Sequence, residues 1–344
     1  MSGEDPRTVR EIGEEGLIAI FDVEGGALGG KVLVPNGDDA AAWFLEPKYA
    51  NVITTDSQVE GVHFDLRYTP PVAVGRKLMS VNLSDVAAMG ARPRYVLLAV
   101  SVPPHLPVSV VQKVATGIKE ICKLHGVAVL GGNTTTIDGP LVLTATVIGR
   151  AEPSQLIRRR GTMVGDGIYV TGRLGDAKAG LRLVQSGVVP ALGTPYYSLY
   201  KALVDPQARV EAGRRLANVH LVHAMCDISD GFGKDLRHLL VPEGLGARIE
   251  AQALPISQAL RSYGEEAGFS PELEAMMGGE DYELLFTAPM EEEALIVDAC
   301  ASVATPVSRV GTVLAAPELE VFMPDGSVVD LPTASFEHYA GGDR

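Results

Sequence analysis

The sequence contains few cysteines, a single tryptophan and no long uncharged apolar run. Its three cysteines, Cys122, Cys226 and Cys300, are far apart and lack C-x-x-C spacing, which argues against a disulfide framework and a cysteine zinc site. Each lies in an apolar stretch, so we expect reduced thiols inside the core. Because there is neither a signal peptide nor an apolar run of about 18 residues, we predict a cytoplasmic protein without a membrane partner.

Positive charge is also scarce, since 29 Lys and Arg residues face 43 Asp and Glu residues and the net charge is −14. Without a positive field to attract phosphate backbones, the chain is not expected to bind nucleic acid or an anionic membrane. A small phosphorylated ligand is still compatible, because metal ions can supply positive charge locally. The length of 344 residues predicts about two domains, and 46% hydrophobic residues suffice for a packed core.

The seven histidines are scattered, and neither zinc-ligand spacing nor a Ser-His-Asp arrangement is evident. Short blocks of Asp, Ser and Gly recur instead within apolar surroundings: Gly37-Asp38-Asp39-Ala40, Thr54-Thr55-Asp56, Asn82-Leu83-Ser84-Asp85, Asp227-Ile228-Ser229-Asp230-Gly231 and Gly278-Gly279-Glu280-Asp281. Two carboxylates ~4 Å apart repel by roughly 4 kcal/mol at an effective dielectric constant of ~20. If the blocks converge, Mg²⁺ would relieve that repulsion, because it prefers carboxylate oxygens.

Strand-like and helix-like patterns occur in both halves, which predicts an α/β or α+β fold. Apolar spacing predicts helices at residues 72–89, 110–124, 176–185, 208–216 and 230–240, and strands at residues 51–54, 95–102, 127–130, 141–148, 167–171 and 283–287. The pattern breaks at residues 149–155, which we interpret as a linker between domains 1–150 and 151–344. Asp85 falls on the apolar stripe of the first helix. It is therefore either at a helix end or out of register, or a buried carboxylate with a partner.

Two motifs resemble nucleotide or calcium loops but do not fit them. Residues 25–31 approach a P-loop, yet the next residue, Val32, has no hydroxyl for Mg²⁺ and begins a strand-like run. Residues 227–235 approach a calcium loop, yet the glycine is at the fifth position and His238 replaces the bidentate Glu. We interpret the second motif as a strand-to-helix turn at which Asp227 and Asp230 can share a metal.

Two further segments are candidates for contact with phosphate. Residues 131–135 follow a predicted strand, and a glycine loop there would let the backbone approach a phosphate group. Residues 158–160 form the only tight basic cluster, which is either a solvated surface run or a phosphate contact.

Taken together and in this order, the blocks resemble the thiamine-monophosphate kinase family. The resemblance extends from about residue 11 to about residue 339 and is most specific at residues 82–91 and 278–284. It is carried by Gly13-Glu14, Gly37-Asp38-Asp39-Ala40-Ala41, Thr55-Asp56, Glu60-Gly61-Val62-His63-Phe64, Val81-Asn82-Leu83-Ser84-Asp85-Val86-Ala87-Ala88-Met89-Gly90-Ala91, Gly131-Gly132-Asn133-Thr134-Thr135, Asp227-Ile228-Ser229-Asp230-Gly231, Gly278-Gly279-Glu280-Asp281-Tyr282-Glu283-Leu284 and Phe336-Glu337-His338-Tyr339.

That family belongs to the superfamily of aminoimidazole ribonucleotide synthetase and selenophosphate synthetase. The resemblance implies an N-terminal α/β domain that dimerises through its sheet and a C-terminal α/β domain behind it. ATP and Mg²⁺ would bind in a groove between the domains and near the interface of a homodimer. The implied reaction converts ATP and thiamine monophosphate to ADP and thiamine diphosphate.

The resemblance also implies the residues of the site, none of which acts as a general base or nucleophile. Metal ligands would be Asp39, Thr55, Asp56, Asp85, Asn133, Asp227 and Asp230. ATP contacts would be Thr54, Gly132, Arg159 and Ser229, and thiamine monophosphate contacts would be His63, Glu280 and Phe336. Asn133 stands where the family has an aspartate, so one metal position should lose a charge while it keeps an oxygen ligand.

The chemistry of the acceptor agrees with the absence of a general base. A phosphate monoester has a second pKa near ~6 and is mostly dianionic at neutral pH, so it needs no deprotonation before attack. Two alternatives stay open: another ATP-using enzyme of the superfamily with a different acceptor, and a catalytically weak nucleotide-binding or regulatory paralogue. Asn133 is the only feature that favours the second.

Overall fold

The computed structural model describes residues 32–34, 40–46 and 48–332, which form two β-sheets and their covering helices. The predictions made for residues 25–31, for Asp39 and for Phe336 lie outside these described residues. Within them, no helix is long and apolar enough to cross a membrane.

The first sheet is built from the N-terminal half of the chain. Its strands are Val32–Val34 (β1), Ala41–Glu46 (β2), Tyr49–Val59 (β3), Arg92–Val102 (β4), Ala128–Thr136 (β5) and Val142–Ala151 (β6). They lie in the order β1-β2-β3-β6-β4-β5. Neighbouring strands are antiparallel except for the parallel pair β4 and β5.

Among the described residues of this half, the helices are Pro71–Ala88 (α1) and Val108–His125 (α2). They cross very closely, because a Cβ at Gly75 would lie 2.0 Å from the Val114 oxygen and one at Gly117 would lie 2.0 Å from the Val72 oxygen. Most of α1 is buried, and the buried residues include polar ones such as Lys77 and Asn82. It contacts β3 and β6 on one side and the C-terminal half on the other.

The second sheet is built from the C-terminal half. Its strands are Gly167–Thr171 (β7), Ala224–Asp227 (β8), Gly246–Glu250 (β9), Leu284–Ala288 (β10), Val307–Leu314 (β11), Leu319–Phe322 (β12) and Val328–Asp330 (β13). They lie in the order β13-β12-β9-β11-β7-β10-β8, with β9 and β12 parallel and the other pairs antiparallel.

The helices of the C-terminal half are Asp176–Gln185 (α3), Tyr197–Val204 (α4), Val210–Val219 (α5), Phe232–Leu240 (α6), Gln258–Ala267 (α7), Pro271–Met277 (α8) and Glu293–Ala301 (α9). One apolar cluster joins the two halves, since it contains Val147 of β6, Leu83 of α1 and Phe286 of β10. The second sheet therefore packs against α1. The turn after β8 and the turn before β10 both lie beside β3. The predicted division at residues 150 and 151 stays a prediction.

Several predicted boundaries are wrong. Strand β3 continues past residue 54, so the Thr54-Thr55-Asp56 block lies inside a strand and not at its end. Strand β6 continues to Ala151, so residues 149–151 of the predicted linker belong to a strand, and helix α6 begins at Phe232 because Gly231 has φ +128°.

The predicted glycine loop after residue 130 is also wrong, because β5 runs through it to Thr136. The glycines have a different purpose there. A Cβ at Gly132 would lie 1.7 Å from the Leu98 oxygen of β4, so close approach of the neighbouring strand requires glycine.

Candidate active site

A cavity of about 390 Å³ lies between β3, α1 and the turns of the second sheet. Ten of the residues predicted from the sequence line it together: Thr54, Thr55, Asp56, His63, Asp85, Arg159, Asp227, Ser229, Asp230 and Glu280. The acid blocks of the two halves therefore do converge on one site.

Hydrogen bonds between β3 and α1 hold one group of these acids. The Thr54 hydroxyl donates to the Asp85 carboxylate, with 2.6 Å between Oγ1 and Oδ2. The Asp56 N–H donates to Asn82 Oδ1 at 2.9 Å, and the Asn82 amide donates to the Leu78 carbonyl one turn earlier. Asn82 thereby links strand β3 to helix α1. Of the two alternatives that the sequence left open, Asp85 has the partner of the second, although it is only half-buried and lies in the last turn of α1.

The second group lies at the turn between β8 and α6, as predicted. The Asp235 carboxylate accepts the backbone N–H groups of Asp230 and Gly231 at 3.2 and 3.1 Å and so fixes the turn from within α6. Asp227 ends β8 and is almost fully buried, whereas Asp230 forms an ion pair with Lys234 at 2.8 Å. Because Asp235 is occupied by the backbone, this is a strand-to-helix turn and not a calcium loop.

Tyr282 lies among the carboxylates of both groups. Its side chain is only 5% exposed, and burial raises the pKa of its hydroxyl well above the usual range. The charges of Glu280, Asp56, Asp227 and Asp85 raise that pKa further, in that order. The phenol therefore stays protonated and can donate a hydrogen bond among four acids.

The donor set suits a hard cation. Among residues 48–332 and the shorter described segments, no three His, Cys, Asp or Glu side chains are already arranged as a complete metal site. Mg²⁺ does not require one, since it is usually held by one or two carboxylates together with water and substrate phosphates. Asp56, Asp85 and Asp227 offer such carboxylates, and no cysteine is among the described residues that line the cavity.

The predicted acceptor residues meet at a lysine that the sequence reasoning missed. Lys77 Nζ donates to the His63 carbonyl at 2.9 Å and forms an ion pair with Glu280 Oε1 at 2.8 Å. The Val59 N–H donates to His63 Nδ1 at 3.1 Å, which places the proton of a neutral ring on Nε2. Glu280 itself has φ +67°, and its N–H donates to the Ser229 carbonyl at 2.7 Å.

Apolar side chains line another part of the same cavity: Val62, Phe64, Tyr68, Leu181, Leu203 and Met277. Tyr68, Leu181 and Leu203 belong to one packed cluster, so this lining is continuous. A site that combines carboxylates with such a wall suits a ligand with an anionic group and an apolar ring body.

Gly132 and Asn133 do not line this cavity. They line a second one of about 330 Å³, which lies between the first sheet and α2. Asn133 is in register with Ala99, Thr144 and Ser57 across four strands, so about three strand spacings, roughly 14 Å, separate it from Ser57. Within one chain Asn133 is therefore not beside the other predicted metal ligands.

The remaining members of two predicted clusters have other partners. Arg159 lines the cavity, but Arg160 donates to the His238 carbonyl at 3.1 Å. Asp281 accepts the Gly175 N–H at the start of α3, and Glu283 is bound by Arg209 through two hydrogen bonds. Of the acids at positions 280, 281 and 283, Glu280 lines the cavity and the other two are bound elsewhere.

Comparisons with known proteins agree with this architecture. The family model "AIR synthase related protein, N-terminal domain" matches residues 37–151, and the corresponding C-terminal domain model matches residues 163–324. The thiamine-monophosphate kinase of Rhodopirellula baltica is 35% identical over 291 residues, 83% of this chain and 84% of that protein. The Aquifex aeolicus enzyme is 36% identical over 284 residues, 82% and 88% of the two chains. This chain belongs to the thiamine-monophosphate kinase family.

Solved structures of this kinase family superpose on the whole chain. AaThiL complexed with AMPPCP and TMP has a TM-score of 0.83 and 30% identity, and covers 97% of this chain and 100% of that chain. The thiamine-monophosphate kinase from Stenotrophomonas maltophilia has a TM-score of 0.75 and 36% identity, with coverage of 88% and 93%. The predicted two-domain fold of the aminoimidazole ribonucleotide synthetase type is confirmed.

Proposed function

We propose that this chain transfers the terminal phosphoryl group of ATP to the phosphate of thiamine monophosphate, which gives ADP and thiamine diphosphate. The supporting observation is the single cavity in which carboxylates from both sheets adjoin an apolar wall. The kinase relatives and the complex with AMPPCP and TMP support the same pair of substrates.

The transfer needs no base from the protein, because the acceptor phosphate is already mostly dianionic at neutral pH. The difficulty is to bring two anions together. Catalysis then consists of holding the acceptor oxygen in line with the transferred group and cancelling charge on both phosphates. This explains why the residues gathered in the cavity are ligands and hydrogen-bond donors.

We propose Mg²⁺ as the cofactor, held by Asp56, Asp85 and Asp227 with the help of the Thr55 hydroxyl and Asp230. When bound, it supplies the positive charge that the phosphates require. Arg159 and Ser229 then bind phosphate oxygens of ATP, and Thr54 stays a predicted ATP contact. Asp39 stays a predicted ligand.

The acceptor would lie between His63, Glu280 and the apolar wall. His63 and the Glu280 carboxylate, both of which Lys77 holds in place, would contact it. Tyr68 and Leu203 contact the ring body, for which an apolar wall is the favourable surroundings. Phe336 stays a predicted contact.

We further propose a homodimer formed through the outer face of the first sheet. This face exposes apolar side chains, with Tyr95 and Leu97 of β4 each 40% exposed. Covering it would remove an apolar patch from water. A metal contact by Asn133 would need a second copy, because of its distance from Ser57 within one chain.

A cytoplasmic location accompanies this proposal. All three cysteines, Cys122, Cys226 and Cys300, are buried free thiols, as the sequence predicted. Reduced thiols are typical of the compartment in which ATP is abundant. Burial also raises the pKa of Cys122 and Cys300 to about 11, so neither thiol is ionised at neutral pH.

One incubation tests the reaction. The chain is mixed with ATP, Mg²⁺ and thiamine monophosphate, and ADP and thiamine diphosphate are separated by anion-exchange chromatography. We expect equal amounts of both products, and none with thiamine, which lacks the acceptor phosphate. ADP release only with a different acceptor would favour another superfamily activity. Nucleotide binding without turnover in either Mg²⁺ or Mn²⁺ would favour the weak paralogue.

A further inference from the structure

Lys77 is an almost completely buried cation in the wall of the active-site cavity. Its residue is 1% exposed, and its ammonium contacts Glu280 at 2.8 Å and the His63 carbonyl at 2.9 Å. A buried ammonium is costly unless it is paired and hydrogen-bonded. Such a group in a ligand site therefore calls for an explanation.

Its place on α1 separates it from the acids that would bind metal. Lys77, Val81 and Asp85 follow one another at intervals of four residues and all line the cavity, so they form one face of the helix. Lys77 and Asp85 are thus separated by roughly 12 Å along the axis. The cation lies toward His63 and Glu280, whereas Asp85 lies with Thr54 of β3.

The two partners of Lys77 come from different parts of the fold. His63 follows β3 in the N-terminal half, and Glu280 precedes β10 in the C-terminal half. Lys77 therefore joins two segments across the cavity. It also compensates the charge of Glu280, which lines the same cavity as Asp56 and Asp227.

We propose that Lys77 is a positioning residue that sets the affinity for thiamine monophosphate. By holding the Glu280 carboxylate and the His63 carbonyl together, it fixes the two side chains that would bind the acceptor. This inference rests on the proposed function. It assigns no contact between Lys77 and the reacting phosphates.

Steady-state kinetics of Lys77→Met test the proposal. Without the ammonium, repulsion from the neighbouring acids moves Glu280 away, so KM for thiamine monophosphate should rise about 10- to 100-fold. The KM for ATP should change less than about 3-fold, because Thr54 is bound to Asp85 at the other end of the α1 stripe and Ser229 is bound by the backbone N–H of Glu280, which the substitution leaves in place. Lys77→Arg keeps the charge and should recover most of the lost affinity.

A double-mutant cycle locates the effect. Glu280→Gln alone should raise the same KM, and adding Lys77→Met to it should raise that KM little further, because the two residues act as a unit. Additive effects of the two substitutions would overturn the proposal.

Arg182→Met serves as the control for lost stability. Arg182 binds Glu274 through two hydrogen bonds outside the cavity, so its loss should lower the melting temperature and leave both KM values unchanged. If Lys77→Met behaves in the same way, the lysine is merely structural and the proposal is wrong. If Lys77→Met does not fold, Lys77→Gln takes its place, because glutamine keeps a donor for the His63 carbonyl. A raised KM for thiamine monophosphate would support the proposal, and a lower melting temperature with unchanged KM values would overturn it. Turnover by the unaltered chain establishes the proposed function separately, since that result does not depend on any variant.

Discussion

The Thr54 hydroxyl donates to the Asp85 carboxylate, with 2.6 Å between the two oxygen atoms. The bond joins the middle of β3 to the last turns of α1 and stabilises the ionised form of a carboxylate that is partly withdrawn from water. Asn82 adds a second link, because it accepts the Asp56 N–H. The positions of Asp56 and Asp85 therefore depend on how β3 packs against α1, and not on one loop.

We expect Asp227→Asn to lower kcat by at least about 10²-fold, the scale of losing a contact to transition-state charge. Folding should survive, because the change removes one of several carboxylates that repel each other around Tyr282. The measurements are turnover in saturating Mg²⁺ and the thermal unfolding curve. Asp325→Asn, the same change in an exposed turn that binds Ser327, is the matched control and should leave kcat unaltered. Near-normal turnover of the Asp227 variant would remove it from the metal site.

Asn133→Asp should lower the Mg²⁺ concentration for half-maximal rate without abolishing turnover. A charged ligand in place of an amide is worth about 10- to 150-fold in metal affinity. Because Asn133 lies outside the cavity of a single chain, the effect should appear only where the chain is dimeric. An Mg²⁺ titration that does not move, or moves upward, would show that Asn133 is no metal ligand.

Leu97→Asp should disrupt the homodimer. Leu97 is 40% exposed on the outer face of β4, and a charge buried in an apolar interface is unfavourable. Light scattering should report about twice 36.3 kDa for the unaltered chain and 36.3 kDa for the variant at micromolar concentration. Leu295→Asp places the same change on an exposed position of α9, 56% exposed, and should remain dimeric. A monomeric unaltered chain would contradict the dimer itself.

Asp281→Asn should flatten the dependence of stability on pH. Burial raises the pKa of the Asp281 carboxyl well above its ordinary 3.8, although the Gly175 N–H lowers it in part. The folded chain then holds this proton more tightly than the unfolded chain. The carboxyl therefore lowers the free energy of unfolding progressively as the pH rises above 3.8.

The asparagine keeps an oxygen acceptor for Gly175 but has no proton to lose. The free energy of unfolding of the variant, minus that of the unaltered chain, should therefore be larger at pH 8 than at pH 4.5. Urea unfolding at the two pH values measures the difference. A gap between the two proteins that stays constant with pH would show that Asp281 does not titrate in this range.

Sequence patterns were sufficient to predict those parts of the site that a single short segment forms by itself. The turn between Asp227 and Asp230 was predictable, because its apolar strand, glycine and helix follow each other in sequence. Asp85 was predictable as a carboxylate that needs a partner, because helical periodicity placed it on an apolar stripe. The same periodicity places Lys77 on that face, eight residues before Asp85, so its place in the site was also predictable from the sequence.

Other features depend on contacts between distant segments, which periodicity does not record. Gly131 and Gly132 resemble a turn in sequence, yet pairing with β4 extends the strand through them. Tyr282 looks like an ordinary core aromatic until the second sheet places it among carboxylates of both halves. The ion pair of Lys77 with Glu280 likewise exists only once the two halves pack together.

The acidic segment before β10 has a left-handed backbone at Glu280 and Tyr282, with φ +67° and +49°. Because of these two residues, neighbouring side chains point in different directions. Glu280 contacts Lys77, Asp281 contacts the start of α3, and Glu283 contacts the side chain of Arg209. Substituting one acid thus disturbs only the contacts of that acid, whereas inserting or deleting a residue changes the contacts of all three. A saturation library should therefore tolerate far more changes of identity than of length at these positions. Substitutions of Glu280 should weaken ligand binding in well-folded variants, whereas substitutions of Asp281 and Glu283 should lower expression and solubility.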